Sequence, residues 1–173
     1  EVRQARRLLL ERVRNNPDDV DACHNLGIAA LHEGKDEEAI EWFRRVTKLD
    51  PNEEFAATQL VKSHAERGEF DAALSYCDRL ASIPGMMIKE ASLRAQILQA
   101  CGRTEEAITR LTTLVERDPN LDTIWFMLSE IYEREGLRLD ALEASKQCLD
   151  VLLRFGGNRD NIDMVKQRIS SLL

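Results

Sequence analysis

Apolar residues recur every three to four positions along most of this chain, which is the spacing of an amphipathic α-helix rather than of a β-strand. Ala22, Leu26 and Ala30 form one such stripe, and Ile40 and Phe43 belong to the next. Short polar segments that contain proline or glycine separate the stripes. The pattern therefore predicts a series of short helices joined by tight turns.

Proline and glycine divide the chain at a regular interval. The four prolines stand 34, 33 and 35 residues apart, at Pro17, Pro51, Pro84 and Pro119. A residue before proline is restrained from the helical region, so each proline predicts a helix end. Four glycines lie between them at intervals of 34 residues, at Gly34, Gly68, Gly102 and Gly136. A glycine just past a helix adopts positive φ without strain, so the repeating unit should be two helices.

A single hairpin of this kind cannot hide its apolar face, so neighbouring hairpins must stack to supply the core. Only 8 Gly and 4 Pro in 173 residues leave little material for the many turns of an all-β fold. The expected fold class is all-α, a right-handed α-solenoid of stacked helix-turn-helix hairpins.

The residues within each period resemble the tetratricopeptide repeat family. The first repeat matches the family pattern at Cys23, Leu26, Gly27, Ala30, Ala39, Phe43 and Pro51. The fourth matches at Trp125, Leu128, Ser129, Tyr132 and Ala141, with Ser145 in the Phe position. Val61 departs from the pattern, because a glycine or another small residue is usual there.

The period assigns the chain to six segments. Residues 1–17 are interpreted as the second helix of a preceding repeat whose first helix is missing, which suggests truncation of a longer array. Four repeats follow at 18–51, 52–85, 86–119 and 120–154. Residues 158–173 are expected to form a C-terminal capping helix, which would keep the last apolar face out of water.

Charge and motifs exclude several classes of function. The chain has 24 basic and 31 acidic residues, a formal net charge of −7, which argues against nucleic acid as a partner. No apolar run is long enough to span a membrane, which favours a cytoplasmic location. Nucleotide-binding, hydrolase and metalloprotease motifs are absent, and the four cysteines lack metal-ligand spacing. We therefore expect no enzyme activity, catalytic residue, metal site or cofactor.

The resemblance implies a binding surface, because the first helices of successive repeats in this family line a concave groove that holds a partner's peptide. Mapped by position, this groove consists of His24, Ile28, Phe55, Thr58, Lys62, Lys89, Ser92, Gln96, Phe126 and Glu130. Ile28, Phe55 and Phe126 stand out because the hairpin core does not require them. The alternative for these three is burial against a neighbouring helix.

These observations predict a non-enzymatic scaffold that binds a peptide or helix of another protein in the groove. One alternative is a recruitment or regulatory segment of a larger multidomain enzyme, such as a glycosyl- or sulfotransferase. Another is self-association into a homo-oligomer through the terminal helices. The basic first helix could also meet an acidic partner or membrane surface, although the solvated side of a repeat helix is the preferred reading.

Overall fold

A computed structural model describes residues 2–173 of the chain, with side chains from Gln4 onward. Over that range the chain forms ten α-helices and no strand. They are α1 Val2–Asn15, α2 Val20–His32, α3 Asp36–Leu49, α4 Glu54–Glu66, α5 Phe70–Ser82, α6 Met87–Ala100, α7 Thr104–Arg117, α8 Asp122–Arg134, α9 Arg138–Arg154 and α10 Arg159–Leu172. The predicted all-α class of helix-turn-helix hairpins is confirmed.

The periodic prolines and glycines of the sequence lie at the helix ends. Each proline stands two residues beyond the last residue of a helix, as Pro51 does after Leu49. Each of the four periodic glycines also follows a helix by two residues. Their φ angles are positive, from 68° at Gly34 to 76° at Gly102, a region that side chains disfavour. The period therefore reflects backbone constraints. The assignment of helices to repeats at the boundaries given above remains a prediction.

The chain divides into two compact units, residues 1–90 and residues 91–173. In the first unit, α1 packs on α2, α2 on α3, α3 on α4 and α4 on α5. Its core includes Leu26, Phe43, Val46 and Leu60, all fully buried. Phe43 occupies the space where a side chain at position 27 would lie, because a Cβ there would be 2.6 Å from its ring.

Ion pairs fix the first helix on the hairpin that follows it. Arg6 of α1 pairs with Glu33 at 3.1 Å and with Glu38. Its guanidinium holds the pKa of the Glu38 carboxyl below its usual range through a hydrogen bond. Arg12 pairs with Asp19, and the Asp19 carboxylate also accepts a 2.9 Å hydrogen bond from the Ala22 amide. This cap satisfies one of the free amides at the start of α2.

In the second unit, α7 packs on α8, α8 on α9 and α10 on α9. Cys148, Leu152 and Val165 form a buried cluster that joins α9 to α10. Burial raises the pKa of the Cys148 thiol to about 11. The Ser129 and Ser145 hydroxyls, both buried, form a 2.6 Å hydrogen bond between α8 and α9. Among the helices of residues 2–173, none combines the length and apolarity that crossing a bilayer requires.

Candidate functional site: a polar cleft between α6 and α8

Three of the four predicted binding residues of the second unit converge on one cleft. Ser92 and Gln96 of α6 and Glu130 of α8 line a cleft of about 100 Å³. Gln99 and Arg134 stand one helical turn further along the same two helices and complete its polar wall. Three of the ten expected binding residues thus share a single surface in the folded chain.

The cleft offers both donors and acceptors of hydrogen bonds. The Arg134 Nη1 donates to the Gln99 side-chain oxygen at 3.1 Å, which links α8 to α6. The Gln96 amide donates weakly to the Ser92 hydroxyl at 3.4 Å. Primary amides carry two donors and an acceptor with two lone pairs, the groups that an extended peptide backbone can satisfy. Glu130 and Arg134 add one charge of each sign.

In the first unit, His24 and Phe55 form an aromatic junction between α2 and α4. Their ring centroids are 5.0 Å apart, and Phe55 also lies edge-on to Phe43 at 5.9 Å. The His24 Nδ1 lies 3.2 Å from the Glu53 carboxylate. Glu53 in turn caps α4 by accepting a hydrogen bond from the Ala56 amide. His24 and Phe55 are both partly buried, and each holds neighbouring helices together.

The structure corrects the assignment of Thr58 and places Ile28 differently. Thr58 is only 3% exposed, and its hydroxyl donates a 2.7 Å hydrogen bond to the Glu54 carbonyl. Its hydroxyl is thus engaged within its own helix and is not a surface contact. Ile28 packs partly on the core of the first unit and lines a groove against α1. Lys62 and Lys89 are exposed.

Phe126 was expected to face a ligand, but α10 packs against it. The Arg168 guanidinium of α10 lies over the Phe126 ring at 5.5 Å. The same side chain donates to the Ser129 hydroxyl at 2.8 Å and pairs with Glu133. Phe126 is therefore partly buried against a neighbouring helix, as the alternative described. The reason is that the cationic side chain of α10 is anchored by three groups of α8 at once.

Two residues of these surfaces were not predicted from the sequence, Arg134 in the cleft and Arg168 at the contact between α8 and α10. Arg134 lies four residues after Glu130 on the same helix, so helical spacing alone could have found it. Arg168 lies in a different helix, 42 residues after Phe126, and no spacing rule connects the two. Its role depends on how α10 packs.

Other chemistry-bearing side chains serve the core. His64 is buried, stacks on Tyr76 at 5.4 Å, and lies 2.5 Å from Glu69 through Nδ1. Its Nε2 is buried and finds no hydrogen-bond partner in the described part of the chain. Across residues 2–173 no three His, Cys, Asp or Glu side chains are grouped as a metal site requires. The raised pKa of Cys148 keeps that thiol protonated, unlike a nucleophilic cysteine.

Comparison with known proteins agrees with this architecture. Residues 1–54 match the family model of the tetratricopeptide repeat. No curated protein matches the chain significantly by sequence. Among solved structures, a crystal structure of MamA is 19% identical, with 87% of this chain and 88% of that chain covered, at a TM-score of 0.67.

Two further structures share the fold. PilW, described as a widely conserved type IV pilus biogenesis factor, is 13% identical over 98% of this chain and 85% of its own, at a TM-score of 0.60. The APC/C hetero-tetramer Cut9–Hcn1 is 16% identical over 99% of this chain and 35% of that chain, at a TM-score of 0.61. The family model confirms the resemblance to the tetratricopeptide repeat family over residues 1–54, and the solved structures share the all-helical fold of the chain.

Proposed function

We propose that this chain is a non-enzymatic scaffold that binds a peptide segment of another protein in the polar cleft between α6 and α8. The observation that carries the proposal is the convergence of Ser92, Gln96 and Glu130 on that cleft. Repeat register alone selects these three positions, with no knowledge of their contacts. Their convergence supports a surface built from the first helices of successive hairpins.

The chemistry of the cleft favours a peptide over other ligands. The Gln96 and Gln99 amides can pair with the backbone of an extended segment, which supplies affinity without strict sequence preference. Glu130 and Arg134, with opposite charges on one helix, would orient that segment by its own charges. The net charge of −7 disfavours the phosphate backbone of a nucleic acid.

The comparisons add support at the level of the scaffold. One structural neighbour, Cut9–Hcn1, is a hetero-tetramer, so that helical protein assembles with another chain. Transferring this mode of action to the present chain is part of the proposal. The shared fold does not indicate where a peptide would bind, so the binding location in this proposal rests on the cleft.

Peptide selection tests the proposal. A display library of random 12-residue peptides is selected on the full chain, and the enriched peptides are titrated by calorimetry. We expect dissociation constants in the micromolar range, which corresponds to about −8 kcal/mol. Combining Gln96→Ala with Glu130→Lys should weaken binding at least tenfold, because it removes an amide and reverses a charge in the cleft.

A matched control lies on α9 of the same unit. There the Gln147 amide donates to the exposed Glu143 carboxylate at 2.8 Å. Gln147→Ala with Glu143→Lys makes the same chemical changes away from the cleft, so binding should be unaffected. Enriched peptides that bind both double variants equally, or a library that yields no peptide above background, would overturn the proposal.

A further inference from the structure

A second surface lies in residues 1–90, where α1 and α2 leave an open groove of about 630 Å³ between them. Leu8 and Leu9 of α1 line one wall, and Ile28 and Ala29 of α2 line the other. Leu9 and Ile28 pack down onto the core of the unit, so the floor of the groove is apolar and fixed. This surface is separate from the polar cleft between α6 and α8.

Leu8 is the large apolar side chain that the groove leaves most exposed. Its side chain is 56% exposed on the wall of an already apolar groove. A single exposed leucine is ordinary, but a leucine contiguous with other apolar groups in a concavity is typical of an interaction site. Burying such a side chain against an apolar partner is favourable because it removes the leucine from water.

The second unit shows what kind of element covers a pair of packed helices. There α10 lies against α8 and α9, and Ile162, Val165 and Ile169 meet the buried cluster at helical spacing. On α1 the residues that line the groove run from Ala5 to Arg12, which is roughly 12 Å at 1.5 Å per residue. That length accommodates about two turns of a helix. An amphipathic helix is therefore the occupant that fits.

The charges along the groove select among amphipathic helices. Arg6, Arg12 and His32 line it, and no carboxylate does among the described residues. Arg6 is engaged by Glu33 and Glu38. Arg12 uses Nε and Nη2 to hold Asp19, which leaves Nη1 available on a side chain that is 54% exposed. His32 is exposed and makes no ion pair with any described side chain.

We propose that this groove binds an amphipathic helix of a partner protein, with its apolar face on Leu8, Leu9 and Ile28 and a carboxylate beside Arg12 and His32. The helix lies along α1 and α2 as a third packed helix. Recognition combines burial of the apolar face with pairing at one polar edge. The inference does not depend on the function proposed for the α6–α8 cleft, and either can fail without the other.

The test uses a yeast-displayed library of 14-residue helices. Their apolar-face positions vary among Ala, Leu, Ile and Met, and their edge positions vary among Glu, Gln and Lys. Selection on the full chain should enrich helices that carry Glu on one edge. Failure to enrich any helix, or enrichment of Lys at the edges, would overturn the proposal.

Variants of α1 locate the binding site. Leu8→Glu should weaken the selected helices at least tenfold, because it places a charge in the apolar wall. Leu10→Glu is the matched control, since Leu10 is also exposed on α1 but does not line the groove. Equal loss in both variants, or in neither, contradicts the proposed site. Leu8 is exposed, so we expect Leu8→Glu to keep the wild-type thermal melt.

Charge variants on both walls test the acidic edge and do not require changing the apolar floor. Arg12→Gln and His32→Glu should each reduce the preference for Glu over Lys at the helix edge by severalfold. Arg14→Gln, on an exposed residue of α1 outside the groove, should leave the preference unchanged. A preference that survives both groove variants contradicts the pairing.

Light scattering on the unliganded chain distinguishes a partner helix from a second copy. We expect a monomer in which Leu8→Glu has no effect on mass. Self-association that Leu8→Glu abolishes would show that a second copy of this chain occupies the groove, and would overturn the proposal.

Discussion

Two hairpins of this chain, α2–α3 and α8–α9, share one backbone plan and differ where their helices cross. Both turn through a glycine with positive φ, Gly34 at 68° and Gly136 at 75°. At the first crossing the ring of Phe43 fills the space beside Gly27. At the second, Ser129 and Ser145 meet through a 2.6 Å hydrogen bond. One crossing is apolar and the other is polar.

The difference shows that the close approach of the two helices can be filled in more than one way. Where the second helix carries the large ring of Phe43, the first helix has room only for a glycine. Where both helices carry serine, the two small side chains fit side by side. The hydroxyls must then pair with each other, because a buried polar group without a partner is costly. The equivalent positions of the other two periods carry different pairs again, Val61 with Cys77 in one and Ala95 with Leu111 in the other.

The helix that follows each hairpin differs as well. After α2–α3, helix α4 contributes Phe55, which packs on the ring of His24. After α9, helix α10 contributes Arg168, which reaches Ser129 and Glu133 and covers Phe126. The first junction is aromatic, and the second depends on one cation. Substitutions at the two junctions should therefore differ in their effects on stability and on local hydrogen exchange.

The largest effect is expected from Gly27→Val. Even a Cβ at this position would lie 2.6 to 2.9 Å from three atoms of the Phe43 ring, which is fully buried. Overpacking should lower the free energy of unfolding by about 3 kcal/mol, as measured by urea denaturation followed by circular dichroism. The combination Gly27→Ala with Phe43→Leu introduces the pair found at 95 and 111, and should be less destabilising than Phe43→Ala. If Gly27→Val unfolds like the wild type, the close crossing is wrong.

Arg168→Ala should have the next largest effect, and it should be local. Arg168 is 17% exposed and donates to Ser129 and Glu133. Losing hydrogen bonds from a charged group should cost about 1 to 2 kcal/mol and speed amide hydrogen exchange in α10. Arg159→Ala is the control, because Arg159 is 93% exposed and lies 3.9 Å from Asp163. Equal exchange rates in the two variants would count against the Arg168 anchor.

Ser145→Ala tests the polar crossing with a smaller change. The Ser129 hydroxyl keeps its hydrogen bond from Arg168 but loses Ser145, so the expected cost is about 1 kcal/mol in urea denaturation. Ser170→Ala serves as the control, since Ser170 is exposed and its hydroxyl bonds only to the Lys166 carbonyl of its own helix. A cost no larger than that of the control would mean that the hydroxyl pair adds no stability.

The smallest expected effect is that of Glu38→Gln in the first unit, and it should depend on pH, whereas the effect of Ser145→Ala in the second unit should not. Arg6 lowers the pKa of Glu38, so this ion pair stabilises the fold above the ordinary carboxyl pKa and stops doing so as pH falls through the lowered value. Glu38→Gln should therefore cost less than about 1 kcal/mol at pH 7, and this cost should approach zero as the pH falls through the lowered pKa of Glu38. The cost of Ser145→Ala should stay constant over that range, because hydroxyls do not titrate there. A pH-independent cost of Glu38→Gln would contradict the assigned pair.

Most of the fold was predictable because proline and glycine act on the backbone itself. Pro51 and Gly34 constrain φ and hydrogen bonding whatever surrounds them, so helix ends could be read directly from the sequence. The cleft was partly predictable, because Ser92, Gln96 and Glu130 follow from register. The positions of Phe126 and Thr58 were not predictable. Phe126 is covered by Arg168 of a distant helix, and the Thr58 hydroxyl bonds to a carbonyl of its own helix.

The most direct test of the account asks which side chains meet the bound peptide. An NMR titration of the full chain with a selected peptide, read at the side-chain amides, resolves the cleft from the rest of the unit. We expect the Gln96 and Gln99 amide resonances to shift with saturation while that of Gln147 on α9 stays in place. Saturable binding that shifts Gln147, and leaves Gln96 and Gln99 unchanged, would contradict the proposed cleft.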